Sequence, residues 1–230
     1  MQHTDQPIAS APRLPLPIAA VIFDLDGTLL DTEALYRDAF MQAAGSLGLT
    51  ISAAAYCSLV GIATRERGPL LRRRYGAGFP WEALRDAYYV RRNALVAEGL
   101  RLKRGAAELL AELERGGLPT AIATSASRAT AERHLRAAGL RHRFTAMVTR
   151  DDVAHGKPRP DAFLAAAARL GVAPTQCLAL EDSAVGIEAA WAAGMLPVMV
   201  LDTVAPSRAS RARCIGVVGD LAQIRDLLNG

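Results

Sequence analysis

Two aspartates, one residue apart, close a short apolar run: Ile18-Ala-Ala-Val-Ile-Phe23 leads straight into Asp24-Leu25-Asp26-Gly27-Thr28. A carboxylate can attack phosphorus and carry the phosphoryl group as an acyl phosphate. A second carboxylate two residues on can serve as general acid and then as general base. A lone D-x-D occurs by chance, so the reading depends on what else the chain supplies. Thr124-Ser125 follow the apolar run Leu118-Pro-Thr-Ala-Ile-Ala123. Lys157 lies in His155-Gly-Lys-Pro158, several residues past a third run near 146–149. Glu181-Asp182 follow Cys177-Leu-Ala-Leu180. Each alone is ordinary: a Glu-Asp pair is usually solvated, and a lysine after a strand usually sits on the surface. Together they form one constellation of four carboxylates, one ammonium and one or two hydroxyls.

Four carboxylates cannot share a small cleft without counter-charge, and Lys157 alone supplies too little. Mg²⁺ suits carboxylate oxygens and retained water, so Asp24, Asp26, Glu181 and Asp182 are the candidate metal-binding residues. A cation with a lysine and hydroxyl or amide donors clamps a phosphate. The candidate catalytic residues are then Asp24, Asp26, Thr124 and Lys157. The candidate substrate-binding residues here are Gly27, Thr28, Thr124, Ser125 and Lys157, although Gly27 taken alone is a turn glycine.

The hydrophobic pattern supplies the elements that must position these groups. From Gly105 onward, helices (Gly105–Arg115, Arg128–Gly139, Pro160–Leu170, Ala184–Ala193, Leu221–Leu228) alternate with strands (118–123, 146–149, 177–180, 197–201). That alternation predicts a parallel sheet covered on both faces, and ligands bind outside the carboxyl ends of such strands. The stretch 33–100 between the first two strands reads as mostly helical and is far longer than one crossover needs. The predicted fold class is α/β: a Rossmann-like parallel core (18–32 and 101–230) with an inserted small α-helical cap (33–100). Residues 1–17, polar and Pro-rich, read as a disordered lead-in rather than a secretory signal.

Asp24-Leu-Asp-Gly-Thr-Leu-Leu-Asp-Thr32 resembles the first motif of the haloacid dehalogenase (HAD) superfamily. Ala121-Ile-Ala-Thr-Ser125 resembles its second motif, Gly156-Lys-Pro-Arg-Pro-Asp161 its third and Leu180-Glu-Asp-Ser-Ala-Val-Gly-Ile-Glu188 its fourth, in the right order. The insert is similar to the small helical cap of the subfamily that includes phosphoglycolate phosphatase and β-phosphoglucomutase. The resemblance implies that Asp24 attacks phosphorus and binds Mg²⁺. It implies that Asp26 is the acid and base and binds the metal through its backbone carbonyl. Thr124 and the Ser125 amide would hold the transferring phosphoryl group, and Lys157 would pair with Asp24 and the phosphate. Asp182 would ligate the metal directly, and Glu181 would hold a metal-bound water. Either Thr124 or Ser125 can supply the motif hydroxyl; the distance to the helix end at Leu140 favours Thr124. Gly61-Ile-Ala-Thr-Arg65 resembles the cap's substrate-facing loop, which makes Arg65 either a substrate contact or a surface arginine at a helix start.

Departures from the pattern narrow the activity. Dehalogenases and phosphonatases lack the second aspartate, so Asp26 points to phosphoryl chemistry. The sugar mutases carry a lysine before the cap-loop glycine and a histidine in the first cap helix, where this chain has Val60 and Tyr36. The implied function is a Mg²⁺-dependent phosphatase. Its substrate would be a small phosphomonoester: a sugar phosphate, phosphoglycolate or a nucleoside-type phosphate, hydrolysed through an aspartyl-phosphate. A hexose-phosphate mutase and a catalytically silent binding domain are the alternatives.

Composition excludes other classes. No apolar run is long enough for a membrane helix, and the expected location is cytoplasmic. A net charge of +4 with the run Arg72-Arg73-Arg74 is a solvated helix face, since no nucleic-acid-binding signature accompanies it. Cys57, Cys177 and Cys214 are too scattered for a disulfide framework or a zinc site. His3, His134, His142 and His155 do not pair at ligand spacing and read as surface or core histidines. The expected partner is a small phosphorylated substrate, with the chain a monomer or weak homodimer and neither nucleic acid nor membrane involved.

Overall fold

The computed structural model describes residues 17–60, 62 and 64–229. All of the expected lead-in except Pro17, and Gly61 and Ala63 of the expected cap loop, lie outside the described residues. The chain forms two compact units, one running through Asp31 and resuming at Arg101, the other spanning Thr32–Leu100.

The first unit is built on β1 (Ala20–Phe23), β2 (Thr120–Ala123), β3 (Ala146–Val148), β4 (Cys177–Glu181), β5 (Leu196–Val200) and β6 (Gly216–Val218). All pairings are parallel, in the order β3-β2-β1-β4-β5-β6. Strand order therefore reverses at β1, which pairs with β2 on one side and β4 on the other. That switch point is where an open α/β sheet leaves a crevice at its carboxyl edge. The sequence AVIF suits β1 to its central place: every residue is buried, as a strand covered on both faces requires.

The second unit is helical: α1 (Thr32–Ser46), α2 (Ala53–Cys57), α3 (Thr64–Tyr75) and α4 (Trp81–Glu98). Its core joins Phe40, Tyr56, Leu71, Trp81, Leu84 and Tyr88, with Phe40 packed edge-on to Tyr88. Helices α5 (Ala106–Arg115), α6 (Arg128–Ala137), α7 (Asp161–Leu170), α8 (Ala184–Ala192), α9 (Arg208–Arg213) and α10 (Ala222–Asn229) belong to the first unit. Helix α7 turns Ala162, Phe163, Ala166 and Ala167 inward over β2 and β3; its small side chains let helix and sheet approach closely. Among the described residues no helix is long and apolar enough to cross a membrane.

Strand β6 and helix α9 are additions to the sequence-based element list. β6 is only three residues long and only partly buried, so it carries no apolar run to read. Helix α9 (RASRAR) is short and polar, and is held by its N-cap: the Ser207 hydroxyl accepts from the Ser210 amide at 3.0 Å.

The two passages between the units run beside each other in the first unit. Leu30 and Leu102 form an antiparallel bridge, and the Asp31 amide donates to the Arg101 carbonyl at 2.9 Å.

Candidate active site

Backbone pairing sets the site before any side chain is considered. The Asp24 amide donates to the Leu180 carbonyl at 2.9 Å, and the Thr124 amide to the Val148 carbonyl at 3.0 Å. Parallel register aligns Phe23 with both Ile122 and Leu180. The next residues along, Asp24, Thr124, Glu181 and Asp182, are thereby delivered to one edge of the sheet.

Lys157 reaches this edge from the loop between β3 and α7, where the Lys157–Pro158 peptide is cis. Its Nζ lies 2.6 Å from Asp24 Oδ1 and 2.6 Å from Glu181 Oε1. All three side chains are buried. The ring of Phe163, 4.8 Å from Nζ, covers the ammonium. Burial works against the charge on Lys157, but Asp24 and Glu181 beside it outweigh that and hold its pKa above the usual lysine range.

The carboxylates show the opposite strain. Burial pushes the Asp24 pKa up to about 7, with Glu181 and Asp26 adding to the rise and Lys157 opposing it. Burial, then Glu181 and Asp24, push Asp182 up to about 9, opposed by the hydrogen bond from Thr28. One ammonium does not balance the cluster, and a hard cation would. Among the described residues no group of three His, Cys, Asp or Glu side chains is assembled as a metal cage. Mg²⁺ does not require one, because it keeps several waters and takes only one or two carboxylates. Asp24 and Asp182, the two carboxyls whose pKa burial and like charge push up, fit that need.

The turn that follows β1 explains two further residues. Gly27 has φ +86°, and a Cβ there would stand 2.6 Å from Asp182 Oδ2. Its amide donates to the Leu30 carbonyl at 2.9 Å. Thr28, fully buried, donates its hydroxyl to Asp182 Oδ1 at 2.8 Å. Sequence reasoning placed both in the substrate-binding set; in the structure the Gly27 amide is engaged in the turn and the Thr28 hydroxyl in orienting Asp182. Glu181, expected at a metal-bound water, has both oxygens occupied. Oε1 meets Lys157, and Oε2 accepts from the Ser183 amide at 2.8 Å and hydroxyl at 2.9 Å. Gly186 is required by the same carboxylate, since a Cβ there would overlap Glu181.

Thr124 is buried and Ser125 exposed. The Thr124 hydroxyl accepts from the Ala126 amide at 3.1 Å and can still donate. Arg65 belongs to the helical unit, where its side chain is 85% exposed and reaches Glu66 at 3.5 Å. Arg67 lines a cavity of about 50 Å³ in that unit with Glu33, Tyr36, Tyr56, Leu59, Val60 and Tyr88, and Arg73 and Arg74 line another of about 260 Å³ with Ser58, Leu59, Leu70 and Leu71. Arg67 is fixed by donating Nε to the Ile62 carbonyl at 2.8 Å.

Two residues beside the site were not assigned to it from the sequence: His134 was read only as a surface or core histidine, and Asp202 was not singled out. His134, fully buried on α6, places Nδ1 3.2 Å from Asp26 Oδ1. Its signal was its position on the inward stripe Ala131–His134–Leu135 of the helix after β2. Asp202, just past β5, pairs with Lys103 at 2.7 Å and contributes to the raised Asp182 pKa.

Known proteins resemble this chain in sequence and fold. The family model of haloacid dehalogenase-like hydrolases matches residues 18–194. Fructose-1-phosphate phosphatase YqaB of Escherichia coli (strain K12) is 39% identical over 180 residues, 77% of this chain and 93% of that protein. A HAD family hydrolase from Deinococcus radiodurans R1, solved with bound phosphate and sodium, superposes with TM-score 0.81 at 27% identity, over 95% of this chain and 96% of that one. CbbY from Rhodobacter sphaeroides, solved in complex with phosphate, gives TM-score 0.73 at 31% identity over 93% and 100% of the two chains. The span of the family match, the identity to these proteins and the shared fold agree: the chain is an enzyme of the haloacid dehalogenase-like hydrolase family.

Proposed function

We propose that the chain is a Mg²⁺-dependent phosphatase that hydrolyses small phosphomonoesters, sugar phosphates foremost, through phospho-Asp24. The observation that carries this reading is the buried bridge Asp24–Lys157–Glu181 at the end of β1. Lys157 engages Asp24 Oδ1 and leaves Oδ2 to attack. Glu181 fixes Lys157 in place, a positioning role that uses both of its oxygens.

Mg²⁺ held by Asp24, Asp182 and the Asp26 carbonyl would supply positive charge to the transferring phosphoryl oxygens. The chain's own residues do the rest. Asp24 Oδ2 forms a bond to phosphorus as the ester P–O bond breaks, and Asp26 gives its proton to the departing oxygen. The Thr124 hydroxyl, the Ser125 amide and Lys157 hold the phosphoryl oxygens during transfer. Asp26, now a carboxylate, takes a proton from water as that water attacks phosphorus. The bond to Asp24 breaks, phosphate leaves, and both aspartates return to their starting forms.

The helical unit Thr32–Leu100 is the specificity element in this reading. The cavity lined by Arg67, about 50 Å³, is far below the roughly 300–1,000 Å³ of pockets that enclose whole ligands, so it can take only a few atoms of a substrate. The activity named for the E. coli relative supports a sugar phosphate. Val60 and Tyr36, where mutases resembling this chain carry lysine and histidine, support hydrolysis over mutase transfer.

The test is a panel of fructose 1-phosphate, phosphoglycolate, a nucleoside 5′-phosphate and β-glucose 1-phosphate, each with Mg²⁺ and with EDTA. Phosphate release is expected to be fastest on sugar phosphates and to stop in EDTA. EDTA-insensitive turnover contradicts the metal role, and isomerisation of β-glucose 1-phosphate faster than its hydrolysis makes the chain a mutase.

A further inference from the structure

We infer that the helical unit carries a ligand site of its own, apart from the proposed phosphatase chemistry: the cavity beside Arg73 and Arg74 takes a small organic carboxylate with an apolar body.

The run Arg72-Arg73-Arg74 reads in the sequence as a solvated helix face, but the structure separates one arginine from the other two. Arg72 is paired: its guanidinium donates to both oxygens of Glu82, at 2.7 and 2.5 Å. Arg73 and Arg74 are exposed, and neither has an acidic partner among the described residues. Their place in the last turn of α3 suits the negative end of the helix dipole. The dipole does not account for what lies beside them. Both line a cavity of about 260 Å³ with Ser58, Leu59, Leu70 and Leu71. The apolar wall is well fixed, since Leu59 and Leu71 are buried. Arg74 is braced as well: its guanidinium carbon lies 5.9 Å from the centre of the Tyr75 ring, and that ring stacks on Phe79 at 5.4 Å. The Ser58 hydroxyl already donates to the Ala55 carbonyl at 2.7 Å, so the donors left for a ligand are those of the arginines.

Two exposed guanidiniums beside a leucine wall define the ligand by complement. Their planar donor forks match a carboxylate. The leucines disfavour a polyol, whose hydroxyls would find no partners on that wall. The volume sets the size of the apolar body. An apolar cavity of about 150 Å³ accommodates benzene, so about 260 Å³ suits two fused rings. The site lies wholly within Thr32–Leu100. It shares one buried side chain, Leu59, with the smaller cavity lined by Arg67.

The probe is 2-naphthoate, titrated into the full chain in EDTA at low salt and followed in ¹H–¹⁵N spectra. Saturable shifts centred on the amides of residues 58–59 and 70–74 are expected, with a Kd on the order of 0.1–1 mM for so small a ligand. The neutral analogue 2-naphthalenemethanol should bind about tenfold or more weakly. The double variant Arg73→Gln/Arg74→Gln should lose about as much affinity for 2-naphthoate. Both substitutions fall at exposed positions, so its thermal unfolding should match that of the wild type. Equal binding of acid and alcohol, or wild-type affinity in the folded double variant, overturns the inference. So does the absence of saturable binding up to about 10 mM. Shifts centred instead on Tyr36, Arg67 and Tyr88 would put the probe in the smaller cavity and overturn it as well.

Discussion

Asp24 sits in a conflict of charge. Burial and its carboxylate neighbours push its pKa up to about 7, and Asp182 is pushed to about 9 for the same reasons. In the metal-free protein these groups hold protons that an unfolded chain releases near pH 4. The folded state then binds more protons between those limits, so its stability falls as pH rises. The contribution is whole below about pH 4 and is lost by about pH 9. Urea unfolding in EDTA across this range should show the decline, and Mg²⁺ should reverse it at the alkaline end; a flat profile contradicts the charge account. Lys157→Met removes the counter-charge from two buried carboxylates. Near pH 8 it should cost about 3–5 kcal/mol of stability in the same assay as well as activity, with a smaller cost in acid. Asp26→Asn should lower turnover of fructose 1-phosphate by about 10²- to 10⁴-fold, and a loss under tenfold contradicts the acid–base role. The site's chemistry was legible at this scale because carboxylates, lysine and threonine announce it at strand ends. What was illegible was direction. Whether Glu181 faces a metal or Lys157, and whether Thr28 faces a substrate or Asp182, depends on side-chain torsions that no spacing encodes.

Elements convert those residues into a geometry. Strand β1 lies between β2 and β4, so a nucleophile at its end has the hydroxyl on one side and the acidic pair on the other. The turn after it depends on Gly27, where φ is +86° and Asp182 leaves no room for a Cβ. Gly27→Ala should displace Asp182, weaken Mg²⁺ activation at least about tenfold and lower stability by about 1–3 kcal/mol; titrating Mg²⁺ against turnover and following thermal unfolding checks both. Strands β1, β2, β4 and β5 were readable because each is a buried apolar run. β6 and α9 were not, since a three-residue edge strand and a helix of alternating arginines bury too little to leave a pattern. Helix α6 was read as a helix, but its inward histidine looked like any other.

At the scale of the whole molecule, the chain divides its work between a sheet-based unit and a helical unit joined by two adjacent passages at Asp31 and Arg101. In the proposed reading, chemistry belongs to the first and choice of substrate to the second. Arg67 lines a cavity of the helical unit and donates to the Ile62 carbonyl, whereas Arg65 is 85% exposed and pairs only loosely with Glu66 at 3.5 Å. Arg67→Ala should therefore raise KM for fructose 1-phosphate about tenfold or more, the worth of one charged hydrogen bond, with Arg65→Ala changing it less than twofold; the reverse order would return Arg65 to the substrate. The sequence expected a helical insert at 33–100, but which of Arg65 and Arg67 lines a cavity was not legible, because both lie on one helix two residues apart. The central claim is that Asp24 becomes phosphorylated. Quenching the enzyme during turnover of fructose 1-phosphate with Mg²⁺, reducing any acyl phosphate with borohydride and mapping the peptides tests it directly. Homoserine at position 24, dependent on substrate and Mg²⁺ and absent in Asp24→Asn, is the predicted result. Homoserine at another carboxylate, or active Asp24→Asn protein, would contradict it.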